Sequence, residues 1–288
     1  MILVTGATGN IGGALLKELH GIGAGPLRGL TRDAARAVFP EGVEAVEADF
    51  GPTASRKSGS LRSGSLKSAL DGVSSLFLLS RLGPDAEILD AARQAGVDHV
   101  VLVSSVTVQT HPHLGPAAEN LAVERMLQDS GGPAWTILRP TQFASNALWW
   151  ADAIRAGEAV RVPFADVGLP TIHPADIASV ARVALTEPGH RGQTYALTGP
   201  ERITPRQQVE VIADVLGRKV PFAEISRGEA HRGMAAFLGE EAADAVLDVT
   251  GGDVNDELLM VRDTVPRIVG APARTFRQWV SEHAARFD

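Results

Sequence analysis

The chain begins with a short apolar run, Ile2-Leu3-Val4, which breaks into Thr5-Gly6-Ala7-Thr8-Gly9-Asn10-Ile11-Gly12-Gly13 and then into Leu15, Leu16 and Leu19 at helical spacing. A brief continuous apolar stretch suits a strand buried on both faces, and the leucines mark one face of a helix. Strand, glycine turn and helix therefore coincide. One glycine permits backbone angles that a Cβ forbids, another lets the chain approach a pyrophosphate closely, and a third lets helix and strand pack tightly. The unpaired N–H groups and positive dipole end of the following helix then favour phosphate. The segment predicts a dinucleotide-binding turn, with Gly6, Thr8, Gly9, Asn10, Ile11 and Gly12 as its cofactor contacts.

Further apolar runs at 27–30, 43–46, 75–79, 99–103 and 135–138 alternate with helical patterns such as 86–95 and 119–128. This alternation predicts an α/β fold with a doubly wound parallel, Rossmann-like sheet. Beyond Leu138-Arg139-Pro140 the pattern is less regular, with expected helices over 144–155 and 175–185 and a smaller C-terminal substrate lobe. We expect a cofactor domain over 1–155, completed by parts of 171–200, and a mainly substrate-binding lobe over 156–288. Thr204-Pro205 sets an N-cap before a first-turn proline, and Val209, Ile212 and Leu216 follow as an apolar face ending at Gly217. Residues 55–67, with Ser-Gly-Ser-Leu twice and four basic side chains, read as a flexible solvated insertion. Residues 222–250 contain Phe222, His231, Met234, Phe237 and Leu238, which suit either a lid or ordinary helical core.

The 288 residues suffice for a sizeable core. A formal net charge of −7 argues against a generic nucleic-acid or anionic-membrane binder. The absence of cysteine removes disulfides and thiolate chemistry. His111 and His113 lack an accompanying carboxylate cluster, so no metal site is expected. With Met1 leading directly into the first strand and no long apolar span, a cytoplasmic protein is expected.

The cofactor's identity turns on the end of the second strand. An acidic residue there would accept from the ribose 2′-hydroxyl of NAD, but Thr31-Arg32 stands in that place. A guanidinium suits a 2′-phosphate and predicts NADP(H), with Arg36 as a possible reinforcement or a merely exposed charge. A strand one residue longer would instead give the selecting position to Asp33. Leu79-Ser80-Arg81 and Val103-Ser104-Ser105 end the fourth and fifth strands, where ligands bind in such sheets, which makes Leu79, Ser80, Arg81 and Ser104 further cofactor contacts.

The segment Thr5–Gly12, with glycines spaced three and three, resembles the short-chain dehydrogenase/reductase superfamily and most of all its atypical NmrA-like branch, which includes quinone reductases. The resemblance implies that Asp49 and Phe50 flank adenine, and that the segment after the sixth strand borders nicotinamide and substrate. It makes Pro140 a cofactor contact and Thr141, Gln142, Phe143, Asn146 and Trp149 substrate contacts. The same residues also suit ordinary packing between strand and lobe.

Most members use a serine, a tyrosine acid and a lysine four residues on. This chain places Pro116 and Asn120 where tyrosine and lysine would stand, and its one tyrosine, Tyr195, lies far along the second half. Hydride comes from the cofactor, so reduction survives that loss, but general acid catalysis worth about 10²–10⁴-fold must come from elsewhere. Ser104, Ser105 and His113 are the candidate catalytic groups. An activated acceptor needs such help least. The resemblance and this deficit imply an NADPH-dependent reductase of a quinone or a polycyclic aromatic ketone. The alternative is a non-catalytic NADP(H)-binding regulator of the NmrA type that senses redox state through a protein partner.

Overall fold

The computed structural model describes residues 1–47, 63–129 and 131–288. Its main sheet has seven strands in the order β3-β2-β1-β4-β5-β6-β8. These are β1 (Ile2–Val4), β2 (Leu27–Thr31), β3 (Glu44–Glu47), β4 (Ser75–Leu79), β5 (His99–Val103), β6 (Ala134–Pro140) and β8 (Gln193–Leu197). The pairings from β3 through β6 are parallel, with Ile2 opposite both Leu27 and Ser75 and Leu79 opposite Val103. The bonds Gly192 N–H to Trp135 O and Thr141 N–H to Leu197 O run in the same order, so β8 follows β6 in the same sense. The order reverses between β1 and β4, which opens a crevice at the carboxyl ends of those strands.

Helices cover both faces because the buried strands carry apolar side chains on both. On one face Leu3, Leu76, Leu78, Val100, Leu102 and Ile137 meet Leu66, Ala69 and Leu70 of α2 (Ser63–Leu70), Ile88, Leu89 and Ala92 of α3 (Asp85–Gln94) and Val123 and Leu127 of α5 (Gly115–Asp129). A short helix, α4 (Thr107–Thr110), precedes α5. Elsewhere in the same unit α1 (Asn10–Gly21) is tied to α7 (Pro174–Thr186) where Ser179 Oγ donates to Glu18 at 2.6 Å and Arg182 pairs with the same carboxylate. The expected insertion over 55–67 ends in helix, since α2 begins at Ser63; residues 48–62 lie outside the described residues.

The chain divides into two compact units, one comprising Met1–Ser105, Glu119–Arg139 and Ile177–Tyr195 and the other Val106–Ala118, Pro140–Asp176 and Ala196–Asp288. The second unit has its own core, in which Trp279, Val280 and Phe276 of α13 (Phe276–Glu282), with Phe287, pack against Val209 and Ile212 of α8 (Pro205–Leu216). Thr204 caps α8 with a reciprocal Gln207 bond and Gly217 closes it in the left-handed conformation, as expected. Its small sheet pairs β7 (Val160–Val162) with β9 (Phe222–Glu224). The expected helix over 144–155 departs from prediction: Ala144–Trp150 winds as a 3₁₀ helix before α6 (Ala151–Arg155). Three residues per turn align Ala144, Ala147 and Trp150 on the inward face and leave Trp149 outside, 66% exposed. After β9 come α9 (Arg227–Leu238) and α10 (Glu240–Leu247), held together where Arg227 pairs with Asp244 and Asp248; α11 (Asp256–Leu259) and α12 (Thr264–Val269) then lead to α13.

At the amino edge of the sheet, His99 lies 2.9 Å from Thr136 Oγ1, and that hydroxyl donates to the His190 carbonyl at 2.7 Å. The imidazole Nε2 must therefore donate to the Thr136 hydroxyl. Burial first, then the Arg191 and His190 charges, lowers the His99 pKa from 6.5 to about 4. The unfolded chain binds the extra proton between those values. The stability His99 lends is thus complete above pH 6.5 and is lost as pH falls toward 4, by about 3 kcal/mol in all. Urea midpoints measured across that range should fall with pH in the native protein and fall less in His99→Gln; parallel curves would contradict this.

Candidate active site

The glycine turn sits at the carboxyl end of β1, beside the point where strand order reverses. Gly6 has φ +59°, and its carbonyl accepts the Gly9 N–H at 2.9 Å, closing the turn. Gly12 lies directly behind: a Cβ there would stand 2.4 Å from the Gly6 oxygen and 3.0 Å from that of Thr5. Gly9 is less constrained by its own chain, with a Cβ 3.2 Å from the same oxygen. Ile11 and Gly12 are buried while Thr8, Gly9 and Asn10 are exposed, so the turn presents its middle outward. Gly9 caps α1 without any side-chain acceptor, which leaves the first amides of the helix open to a ligand. An uncapped helix end and a cradle that a Cβ would fill are what a dinucleotide pyrophosphate requires, so these residues fit NADP(H).

β2 ends at Thr31, the boundary on which the cofactor preference rests. Arg32 is exposed and has no ion-pair partner among the described residues. Asp33 is engaged: its Oδ1 accepts the Arg36 N–H at 3.2 Å and its Oδ2 lies 3.7 Å from Arg36 Nε. Asp49 and Phe50 fall outside the described residues.

At the ends of β4 and β5 the register brings Ser80 next to Ser104, with the Ser80 N–H donating to the Val103 carbonyl at 3.2 Å. Leu79 is half-buried, its N–H donating to Thr5 Oγ1 at 2.9 Å, and Arg81 is exposed. Ser80 Oγ donates to Asn120 Oδ1 of α5 at 2.8 Å, so the residue in the expected lysine place is engaged with a strand-end serine. Ser104 Oγ is buried and has no hydrogen-bond partner among the described residues. Ser105 is half-buried beside it. These residues form one group in the first unit. Sequence reasoning missed Asp85, which accepts from this group, and the Arg139–Glu124 pair, bonded at 3.0 and 2.6 Å below the end of β6; an acid followed far along by an arginine gives no local signal.

The remaining predicted residues belong to the second unit. Pro140 is buried, its carbonyl accepting the Val106 N–H. Thr141 donates its hydroxyl to the Pro170 carbonyl at 2.6 Å. Phe143 bridges to Ile172, and Gln142 and Asn146 are half-buried beside it. His111 is fixed through both ring nitrogens, to Thr110 Oγ1 at 2.8 Å and the Asp253 carbonyl at 2.6 Å, whereas His113 is exposed. His173 is buried and accepts the Ala175 N–H at 3.0 Å, while Asp176 accepts from the Arg274 amide and guanidinium. Phe237, at the end of α9, is 90% exposed.

A model described as the NmrA-like family matches residues 1–254. The chain belongs to the NmrA-like family. Over its full length it is 38% identical to the (4-alkanoyl-5-oxo-2,5-dihydrofuran-3-yl)methyl phosphate reductase of Streptomyces griseus and 34% identical to the NAD(P)H azoreductase of Xenophilus azovorans, in each case covering 99% of the relative. The NADPH-dependent quinone oxidoreductase of Escherichia coli, solved with NADPH, superposes with a TM-score of 0.79 at 28% identity, covering 98% of this chain and 99% of that one. Among the described residues no helix is long and apolar enough to cross a membrane.

Tyr195, in the edge strand β8, pairs with His190 of the preceding turn, with OH and Nδ1 2.9 Å apart, four strands from β1 and its glycine turn. Tyr195→Phe should therefore change kcat by no more than about twofold, where loss of a general acid would cost about 10²–10⁴-fold. Steady-state rates of the two proteins decide it.

Proposed function

We propose that this NmrA-like protein is an NADPH-dependent reductase that delivers hydride to a quinone or to the carbonyl of a polycyclic aromatic ketone without a Tyr/Lys pair. NAD(P)H-dependent oxidoreduction is its class of chemistry, in keeping with reductase relatives that match the chain from end to end. The observation that carries the cofactor preference is Arg32, exposed at the end of β2 while the neighbouring carboxylate is occupied by Arg36. A guanidinium there suits a 2′-phosphate and a carboxylate would repel it. Gly6, Gly9 and Gly12, with the open amides of α1, would hold the pyrophosphate; Thr8 and Asn10 are its exposed neighbours. Leu79, Ser80, Arg81 and Ser104 would meet the remainder of the dinucleotide along the strand ends, and Pro140 its nicotinamide end.

Bound NADPH supplies the hydride; the protein supplies orientation and charge stabilisation. Ser104 Oγ is a buried hydroxyl without a partner among the described residues, so it suits a hydrogen bond to a ligand oxygen on which charge develops. Ser105 and His113 remain further proton-handling groups. A quinone reduces to a stabilised phenolate and an aromatic ketone hydrogen-bonded by its own hydroxyl stabilises charge internally, so both tolerate a weak acid. In the second unit Gln142, Phe143 and Asn146 offer amide and ring contacts, Trp149 offers an exposed ring face and Thr141 a wall. A panel of quinones, azo dyes and polycyclic aromatic ketones, followed by loss of nicotinamide absorbance, tests the proposal. Turnover with a member of the quinone or ketone sets is expected. Tight NADPH binding with no turnover across the panel would overturn it in favour of a redox-sensing regulator.

A further inference from the structure

The loop between β4 and α3 is built around one buried carboxylate. Arg81 there has φ +66°, a left-handed conformation in which a side chain is unfavourable. Its amide donates to Asp85 Oδ2 at 2.8 Å, and Ser80 Oγ lies 3.3 Å from the same oxygen. Asp85 is 8% exposed, and its Oδ1 is buried with no partner among the described residues. A first-turn acid serving only the helix dipole would face water. Asp85 instead reaches back before its own helix, and burial raises its pKa against the opposing effects of the Arg81 amide, the Ser80 hydroxyl and the Arg81 charge. The Arg81 guanidinium is drawn to the other side, where Nε meets Glu119 of α5 at 2.7 Å.

The bend has a direction. It carries Leu82, half of whose surface is exposed, to the glycine turn: Leu82 Cδ1 stands 3.0 Å from where a Cβ on Gly6 would be, with Leu79 Cδ2 at 3.4 Å. The side chain is thus an apolar wall beside the pyrophosphate cradle. Every polar contact that fixes it belongs to the first unit.

We propose that Asp85 is a positioning residue for the dinucleotide: by accepting from the Arg81 amide, with the Ser80 hydroxyl 3.3 Å away, it sets the bend that holds Leu82 against the Gly6 turn, where Leu82 shields the bound pyrophosphate from water. This rests on the reading of Gly6–Gly12 as the cofactor cradle. The bend governs retention of the cofactor and leaves the chemical step alone, so its loss separates KM for NADPH from kcat.

The test is NADPH affinity by calorimetry, with kcat and KM alongside, in the native protein, Asp85→Ala, Asp85→Asn, Leu82→Ala and the Asp85→Ala/Leu82→Ala pair. Asp85→Ala should raise Kd and KM about tenfold with kcat held within about twofold, while Asp85→Asn, which keeps an acceptor oxygen, restores most of the affinity. Leu82→Ala should also weaken binding, and the pair should be no weaker than the worse single variant. An unchanged Kd in Asp85→Ala, equal losses in the Ala and Asn variants, or additive losses in the pair would overturn the proposal. If Asp85→Ala does not fold, Leu82→Ala decides, since its side chain is exposed and native affinity in that variant refutes the wall. Failure of the native protein itself to bind NADPH is a different result, and would remove the cradle reading first.

Discussion

Replacement of Gly12 by alanine should weaken NADPH binding by about 10²-fold or more while leaving most of the fold in place. The added methyl would stand 2.4 Å from the Gly6 carbonyl oxygen and 2.8 Å from its carbon, both backbone atoms that no rotamer change can move. Relief requires α1 to shift away from the turn, which displaces the open amides from the pyrophosphate. Charge-assisted bonds are worth about 1.5–3 kcal/mol each, so losing two of them weakens affinity by about 10²-fold or more. Gly9→Ala is the useful comparison. Its methyl meets the Gly6 oxygen at 3.2 Å, which small adjustments absorb, so any loss there reports crowding of the ligand more than distortion of the chain. Calorimetric titration of both variants with NADPH, checked against thermal midpoints, measures the difference; native affinity in Gly12→Ala would show that the turn does not hold the cofactor.

Arg32→Ala should weaken NADPH by about 10- to 100-fold and NADH by less than about twofold, the difference being one charge-assisted contact to the 2′-phosphate. The selectivity follows from position: β2 stops at Thr31, Arg32 is exposed without an ion-pair partner among the described residues and Asp33 pairs with Arg36. The ratio of the two dissociation constants should collapse in the variant and depend less on salt than in the native protein. Equal losses for both cofactors would place the arginine on a shared phosphate, and no loss for either would leave it a solvated surface charge.

The parts of this molecule legible in its sequence are those specified by neighbours in the chain. Gly6, Gly9 and Gly12 announce their turn because sterics act over a few residues, and α8 announces both ends through Thr204 and Gly217. β1, β2, β4 and β5 show as apolar runs because parallel strands inside the sheet are covered on both faces, whereas the edge strand β3 is largely exposed. What escaped reading depends on distant partners. Arg28 looks like a surface charge but lies in β2 with Glu44 and the carbonyls of Ala69 and Asp71 around it. Trp149 and Trp150 are equivalent on paper, and only the three-residue winding of 144–150 turns one outward and the other onto the core. Nothing in its chain neighbours distinguishes Asp85, whose place in the loop follows from the fold of Arg81 and Ser80 against it.

The most direct test of the central claim is a single turnover. Protein preloaded with one equivalent of NADPH is mixed with a quinone, and oxidation of the cofactor and reduction of the quinone are followed together. Hydride delivery from a cofactor held at the glycine turn predicts one-for-one consumption, slowed when the transferred hydrogen of NADPH is deuterium, and largely lost in Gly12→Ala. NADPH that stays bound and reduced while the quinone is unchanged would contradict it.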